Sequence, residues 1–338
     1  MNFGIPKPRA FAKPPVGSTA GRPVMRPVPL LIAAMLVGGC SAREAATPRG
    51  KPLVVATTTI VADLVRQVAG DRVAIDCLLG DGIDPHSYKA TPRDADRLRA
   101  ATLVVASGLH LEGKLSDLLD KLSATMPVVV VADAVPRELL LDAGGGFQDP
   151  HIWFDARLWS RCIPAVEEAL TKIDPAGGTE YRRRADAHRV ELEAADERVR
   201  RTIASIPAGR RVLVTAHDAF RYFGRAYGIE VVGVQGTSTE SEAGLNDINR
   251  LVGLLVERDI PAVFVETSVS DRNVATLVEG AAVGGHAVAI GGRLYSDSLG
   301  PAGSGAETLV GTLEANARTI AAALAGPPAG GPAAAGAR

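Results

Sequence analysis

The chain has 338 residues, 46% of them hydrophobic and 22% charged, with 37 basic and 38 acidic side chains and a net charge of −1. That balance excludes a strongly basic nucleic-acid binder and an acidic tail protein, and the length suits two domains better than one. Only 4% of residues are aromatic and three are cysteine, so the chain offers neither a base-stacking platform nor a disulfide framework.

Charge is unevenly spread. Lys7, Arg9, Lys13, Arg22 and Arg26 give residues 1–39 a charge of +5 with no acid, leaving −6 for the rest. In residues 25–40 (MRPVPLLIAAMLVGGC) a cationic start leads into a short apolar run, two glycines and Cys40. The run is shorter than the roughly 20 residues a membrane-crossing helix needs, and it has the flanks of a secretory signal. Val37-Gly38-Gly39-Cys40 resembles a bacterial lipobox, which implies a lipid on Cys40 and a mature chain beginning there. Residues 1–39 therefore read as a signal region, with 1–24 an extension ahead of a true start at Met25. Residues 40–50 read as a tether, and the low-complexity residues 325–338 (AGPPAGGPAAAGAR) as a disordered tail. The expected location is outside the cytoplasm, lipid-anchored and facing the periplasm or the cell exterior.

From residue 51 onward, short aliphatic runs alternate with amphipathic segments, the pattern of βα units around parallel sheets. Strands are predicted at 52–57, 73–78, 103–106 and 128–131, with helices at 60–69 and 91–99. Thr91-Pro92 supplies an N-cap and a proline at the first helical position. A second set of strands falls at 211–215, 230–234, 262–266 and 286–290. Between the sets, residues 179–205 contain neither Gly nor Pro. There Tyr181, Ala185, Leu192, Ala195, Val199 and Ile203 make one narrow apolar stripe. Such a helix would be a rod of roughly 40 Å. The predicted class is α/β: two lobes, each a four-stranded parallel sheet flanked by helices, joined by one long backbone helix. The expected boundaries are 51–178 for the first lobe, 179–206 for the linking helix and 207–324 for the second lobe. Ligands of such sheets bind at the carboxyl ends of the strands, which places the site in the cleft between the lobes. Cys77 and Cys162 read as small buried hydrophobes rather than a disulfide, and neither has a zinc-type spacing.

Three of the six histidines sit where chemistry is expected. Asp84-Pro85-His86 and Asp149-Pro150-His151 repeat one motif, and His217 lies just beyond the strand predicted at 211–215. A single Asp-Pro-His is adequately explained as a turn. Two copies suggest rigidly held imidazoles, because proline fixes the backbone and a pre-ordered ligand loses less entropy on binding. Asp149 and Asp155 are placed to orient an imidazole through its second nitrogen. His188 reads as solvated on the long helix and His286 as structural, while His110, after a strand, stays open as a ligand or rim residue. A fourth ligand should come from the second lobe. Asp297 is the leading carboxylate, with Glu266, Glu240 and Glu242 as competitors.

These motifs resemble the zinc- and manganese-binding solute receptors of bacterial ABC importers, the TroA-like or cluster 9 family. The matching segments are 84–92, 108–113, 149–155, 215–227 (TAHDAFRYFGRAY), 234–241 (VQGTSTES) and 291–298, in order over nearly all of 51–324. The resemblance implies one Zn(II) or Mn(II) per chain, held by His86, His151, His217 and Asp297 between the lobes. It leaves Asp149, Asp155, His110 and Glu266 as supporting or rim residues. Histidine at the third ligand position, His217, is typical of zinc receptors and of some that take both ions. The His-rich loop of many dedicated zinc receptors is missing from residues 142–148 (DAGGGFQ). Three imidazoles and one carboxylate suit tetrahedral zinc, whereas manganese prefers more oxygen, so zinc is favoured.

The implied partners are a cognate ABC permease and its ATPase, with the membrane touched only through the lipid; the chain is expected to be a monomer that binds no nucleic acid and is not an enzyme. Two other functions fit the same residues: a zinc-dependent hydrolase with a His₃–water site, and a surface adhesin stabilised by metal.

Overall fold

The structure, a computed structural model, describes residues 50–325. The expected signal region, the Met25 start, Cys40, nearly all of the tether and residues 326–338 of the expected tail lie outside the described residues.

The first lobe runs β1 (Leu53–Ala56), α1 (Thr59–Ala69), β2 (Ala74–Cys77), α2 (Pro92–Ala100), β3 (Leu103–Ala106), α3 (Ser116–Ser123) and β4 (Val128–Val130). Its four strands are parallel, in the order β2-β1-β3-β4. A short antiparallel pair follows, β5 (Asp142–Gly144) and β6 (Phe147–Gln148), then α4 (Ala156–Trp159) and α5 (Ile163–Ile173). The long helix α6 (Gly178–Ala204) leads to the second lobe: β7 (Val212–His217), α7 (Arg221–Tyr227), β8 (Glu230–Gln235), α8 (Leu245–Glu257), β9 (Ala262–Glu266), α9 (Arg272–Val283), β10 (Ala289–Leu294) and α10 (Leu309–Leu324). Its parallel sheet has the order β10-β9-β7-β8. Counted from the start of each lobe, both sheets run second, first, third, fourth.

The local sequence explains much of this. β3 reads Leu-Val-Val-Ala and is buried throughout, as expected for a parallel strand covered on both faces. Thr58 caps α1 by accepting from the Val61 N–H. Thr91 and Asp94 form a reciprocal capping box on α2, with Pro92 in its first turn.

Two elements depart from expectation. His188 is not solvated: it is 4% exposed and joins the apolar stripe of α6. Positions 181, 185, 188, 192, 195, 199 and 203 are separated by steps of three or four, so His188 lies on the buried face by spacing alone. The last strand starts at Ala289, three residues later than predicted, and carries Gly291 and Gly292 inside it; His286 therefore precedes the strand, its Nε2 lying 2.8 Å from the Ile260 carbonyl. The glycines mark close packing and a bulge rather than a loop. A Cβ on Gly291 would fall 2.7 Å from the Ala323 Cβ and 2.9 Å from the Phe264 ring.

α6 packs against α1, α4 and α5 on one side and α7 and α10 on the other. One apolar cluster runs through it from Val54 and Leu64 in the first lobe to Leu213 and Leu313 in the second. One smaller apolar cluster packs α2 and α3 against the first sheet, and another packs α8 and α9 against the second. Polar contacts reinforce the join beside the helix: the Leu309 N–H donates to Asp63 Oδ2 at 2.9 Å, and the Leu299 N–H to Thr59 Oγ1 at 2.8 Å. Cys77 and Cys162 are free thiols. No helix among the described residues is long and apolar enough to cross a membrane.

Candidate metal centre

Where the carboxyl ends of the two sheets face each other, His86, His151, His217 and Asp297 converge, each offering one ligand atom within 4.8 Å of the others. Among the described residues this is the only such group of histidine, cysteine and acidic side chains. All four are buried, none more than 3% exposed. His151 Nε2 lies 3.3 Å from His86 Nε2 and 3.3 Å from His217 Nε2. Asp297 Oδ1 lies 3.3 Å from His151 Nε2, and Oδ2 lies 3.5 Å from His217 Nε2.

The two Asp-Pro-His segments use one backbone device. Asp84 Oδ1 accepts from the His86 N–H at 2.9 Å, and Asp149 Oδ1 from the His151 N–H at 3.0 Å, each an Asx-type turn closed over proline. Only Asp149 also reaches its ring, lying 2.8 Å from His151 Nδ1. A different neighbour backs the His86 loop. Gly113 has φ +44°, and a Cβ there would stand 2.2 Å from the His86 carbonyl oxygen, so only glycine lets the 108–113 turn close against it.

His217 is held by the sheet itself. It ends β7 rather than following it, its N–H donates to Glu266 Oε1 at 2.8 Å, and Glu266 ends the neighbouring strand β9. Glu266 Oε2 stands 2.7 Å from His217 Nδ1, within charge contact but outside hydrogen-bond alignment. Asp297 sits in the loop after β10. Its Oδ2 accepts from the Ser268 hydroxyl at 2.9 Å, and its buried Oδ1 has no hydrogen-bond partner. A buried carboxylate oxygen without a donor costs free energy unless something positive completes it.

The electrostatics separate the three imidazoles. Burial pushes His86 down to about 4, the nearby Asp297 offsetting this only in part. Burial alone would lower His151 and His217 too, but the carboxylates prevail. Asp149 and Asp297 hold His151 above its ordinary value, and Glu266 and Asp297 hold His217 well above it. For Asp297, burial is outweighed by His217 and His151, which keep its carboxyl well below the usual range. The cluster is therefore a compact, anionic pocket that stabilises positive charge.

Other residues singled out in the sequence have other positions. Asp155 faces no imidazole: its Oδ1 caps α4 by accepting from the Leu158 N–H, and its Oδ2 lies 3.5 Å from Arg225. His110 is outside the four-residue group and packs edge-on against Phe147, ring centres 4.9 Å apart. Both line a 500 Å³ cavity at the cleft mouth, together with His86, Lys114, Thr237 and Glu240. Glu240 lies 3.9 Å from Lys114 on this rim, and Glu242 accepts from Gln235 and Asn273.

Several contacts at the site had not been anticipated. Across the cleft, Thr239 Oγ1 donates to Asp84 Oδ2 at 2.6 Å, the Gly82 N–H to Ser298 Oγ at 2.9 Å, and Trp153 Nε1 to the Ser296 carbonyl at 3.1 Å. The Tyr222 hydroxyl donates to the Asp149 carbonyl and accepts from the Leu141 N–H. These pairs join residues far apart in the chain, and only packing brings them together.

The chain is similar to known metal-binding proteins. Residues 54–323 match the family described as ZnuA, zinc-uptake complex component A, periplasmic. The zinc-binding protein TroA of Treponema pallidum (strain Nichols) is 45% identical over 276 residues, covering 82% of this chain and 90% of that protein. The manganese-binding lipoprotein MntA of Bacillus subtilis (strain 168) is 43% identical over 297 residues, covering 87% and 97%. The solved structure of the periplasmic zinc-binding protein TroA from Treponema pallidum superposes with a TM-score of 0.80, covering 82% of this chain and all of that one. With a family match over almost every described residue, and relatives this similar across nearly their whole length, the chain belongs to the ZnuA family of periplasmic metal-binding proteins.

Proposed function

We propose that this protein is an extracytoplasmic receptor that binds one divalent metal ion through His86, His151, His217 and Asp297 and delivers it to an ABC importer. The observation that carries the reading is the convergence of three imidazole nitrogens and the Asp297 carboxylate within 4.8 Å of one another, with Asp297 Oδ1 buried and without a hydrogen-bond partner. Relatives named for zinc or manganese binding support the cargo. The ion is cargo, so the site must both hold and release it.

The finer reading is zinc over manganese. Two nitrogens each about 2.0–2.1 Å from a tetrahedral ion lie about 3.3–3.4 Å apart, and both nitrogen separations from His151 are 3.3 Å. Three imidazoles with one carboxylate also favour zinc over the oxygen-rich surroundings that suit manganese. A hydrolytic zinc site usually keeps one position open for water. Here Asp297 takes the fourth place, which supports a receptor over an enzyme.

The cognate permease and ATPase follow from the importer role, and a lipid on Cys40 from the Val-Gly-Gly-Cys segment; the named lipoproteins among the relatives support that anchor. We further infer a monomer, with one lobe over 51–178 and the other over 207–324.

The deciding experiment strips the protein with a chelator and titrates zinc and manganese separately by calorimetry. One tight equivalent of metal, with zinc the tighter, is expected. No tight binding of either ion would refute the receptor, and a manganese affinity above that of zinc would refute the preference alone.

A further inference from the structure

The carboxylate of Asp297 is held asymmetrically. Oδ2 accepts a hydrogen bond from the Ser268 hydroxyl at 2.9 Å, while Oδ1 is buried without a partner. Ser268 lies two residues beyond the end of β9, on the same sheet edge as Glu266. Its single proton is committed to the carboxylate, so the Ser296 hydroxyl, 2.9 Å away, must be the donor in the contact between the two serines. Ser296 is fully buried, and its carbonyl accepts from Trp153 Nε1 of the other lobe. A relay of two hydroxyls thus ends on one chosen oxygen of Asp297, and the indole anchors its far end.

A hydroxyl donating to a carboxylate oxygen withdraws electron density from that atom and fixes the plane of the group. The oxygen left free is then the better ligand. Four-coordinate zinc needs one carboxylate oxygen beside three imidazoles, whereas manganese gains from each further oxygen. We infer that Ser268 is a positioning residue for metal choice, restraining Asp297 to offer Oδ1 alone and so favouring four-coordinate zinc over manganese. The inference rests on the receptor reading above and assigns Ser268 no contact with the ion.

Removal of the hydroxyl should release Oδ2 to join Oδ1. In Ser268→Ala the ratio of the manganese to the zinc dissociation constant should fall roughly tenfold, chiefly through tighter manganese binding. Ser268→Thr keeps the hydroxyl and should restore the wild-type ratio. Cobalt(II) supplies a spectroscopic readout independent of affinity. Its visible absorption is intense in four-coordinate sites and weak in five- or six-coordinate ones, so it should weaken in Ser268→Ala relative to wild type and recover in Ser268→Thr.

An unchanged ratio and unchanged cobalt spectrum in Ser268→Ala would overturn the role of Ser268 while leaving the receptor intact. So would an equal loss of affinity for both ions, which marks a merely structural contact, or a Thr variant that behaves like Ala. If the wild-type protein binds neither zinc nor manganese tightly, the receptor reading itself falls.

Discussion

Both lobes are four-stranded sheets with the same strand order, yet they present their ligands differently. The first lobe carries its two histidines on loops, each pinned by an aspartate two residues earlier and by the proline between. The second lobe sets His217 on the end of a strand, locked to its neighbour β9 through Glu266, and sends Asp297 from the loop after its last strand. The first arrangement needs only local chain; the second needs a finished sheet. Each lobe thus supplies half of the proposed site, and an ion bound there would be shared between the two halves. The α6 helix and the apolar cluster running through it hold those halves together on one side. On the other side the cleft is crossed by single hydrogen bonds. On the proposed receptor reading, this difference predicts that the ion leaves through small rearrangements at the cleft while the helix side stays closed.

The largest effect should follow from removing a ligand. His217→Ala leaves the Glu266 carboxylate buried without its imidazole and deletes one quarter of the site. Zinc affinity measured by calorimetry should drop by more than about a thousandfold, since loss of a residue that merely supports a ligand already costs 10- to 100-fold. Retained affinity would remove His217 from the site and end the picture of two half-sites.

Next come the carboxylates behind the rings. Asp149→Asn and Glu266→Gln keep size but remove charge, and each should weaken zinc binding about 10- to 100-fold. Glu266 also holds the His217 backbone. Its variant should therefore lose more thermal stability in the metal-free protein than Asp149→Asn, whose backbone contact is a local turn. Equal loss in the two variants would erase the contrast between strand-held and loop-held ligands.

Proton competition gives a third test. Metal needs neutral imidazoles. Their carboxylates raise His151 and His217 above the ordinary histidine value, whereas burial pushes His86 down to about 4, so protons compete with metal mainly on the first two rings. Binding should therefore displace protons from His151 and His217 before His86. Affinity should fall as the pH drops through the histidine range and below it, because the two raised rings gain protons first. Calorimetry in buffers of differing ionisation enthalpy counts those protons directly. Proton release on binding is expected, and none would contradict the raised pair.

How far the chain could be read in advance follows the same division. Buried strands such as Leu103–Ala106 and the capped start of α2 are local patterns, and they stood out in the sequence. So did His86 and His151, because the Asp-Pro-His device is three residues long and repeated. His188 was misread, although the steps of three and four along α6 place it on the buried face. The last strand was misplaced because Gly291 and Gly292 look like a loop until Phe264 and α10 are packed against them. Ser268 carried no signal, and Thr239 only its place in the 234–241 segment, since their aspartate partners lie 29 and 155 residues away.

The smallest expected effect probes the open side of the molecule. Thr239 Oγ1 donates to Asp84 Oδ2, the oxygen that also accepts from Ser87, while Oδ1 of the same carboxylate holds the His86 backbone. The bond thus ties the loop of a first-lobe ligand to the second lobe without touching the ring. In Thr239→Val the His86 turn keeps its local bonds, so the half-site survives and only the tie across the cleft is lost. Zinc should leave faster when trapped by excess chelator in a stopped-flow experiment, with a weakening of less than about tenfold, or 1.4 kcal/mol. Leu192→Ala, on the helix side, should instead cost about 2–5 kcal/mol of stability through a cavity in the shared core, with the release rate nearly unchanged. If the two variants exchanged these signatures, the side that opens would be the one along α6, and the cleft would be the fixed face.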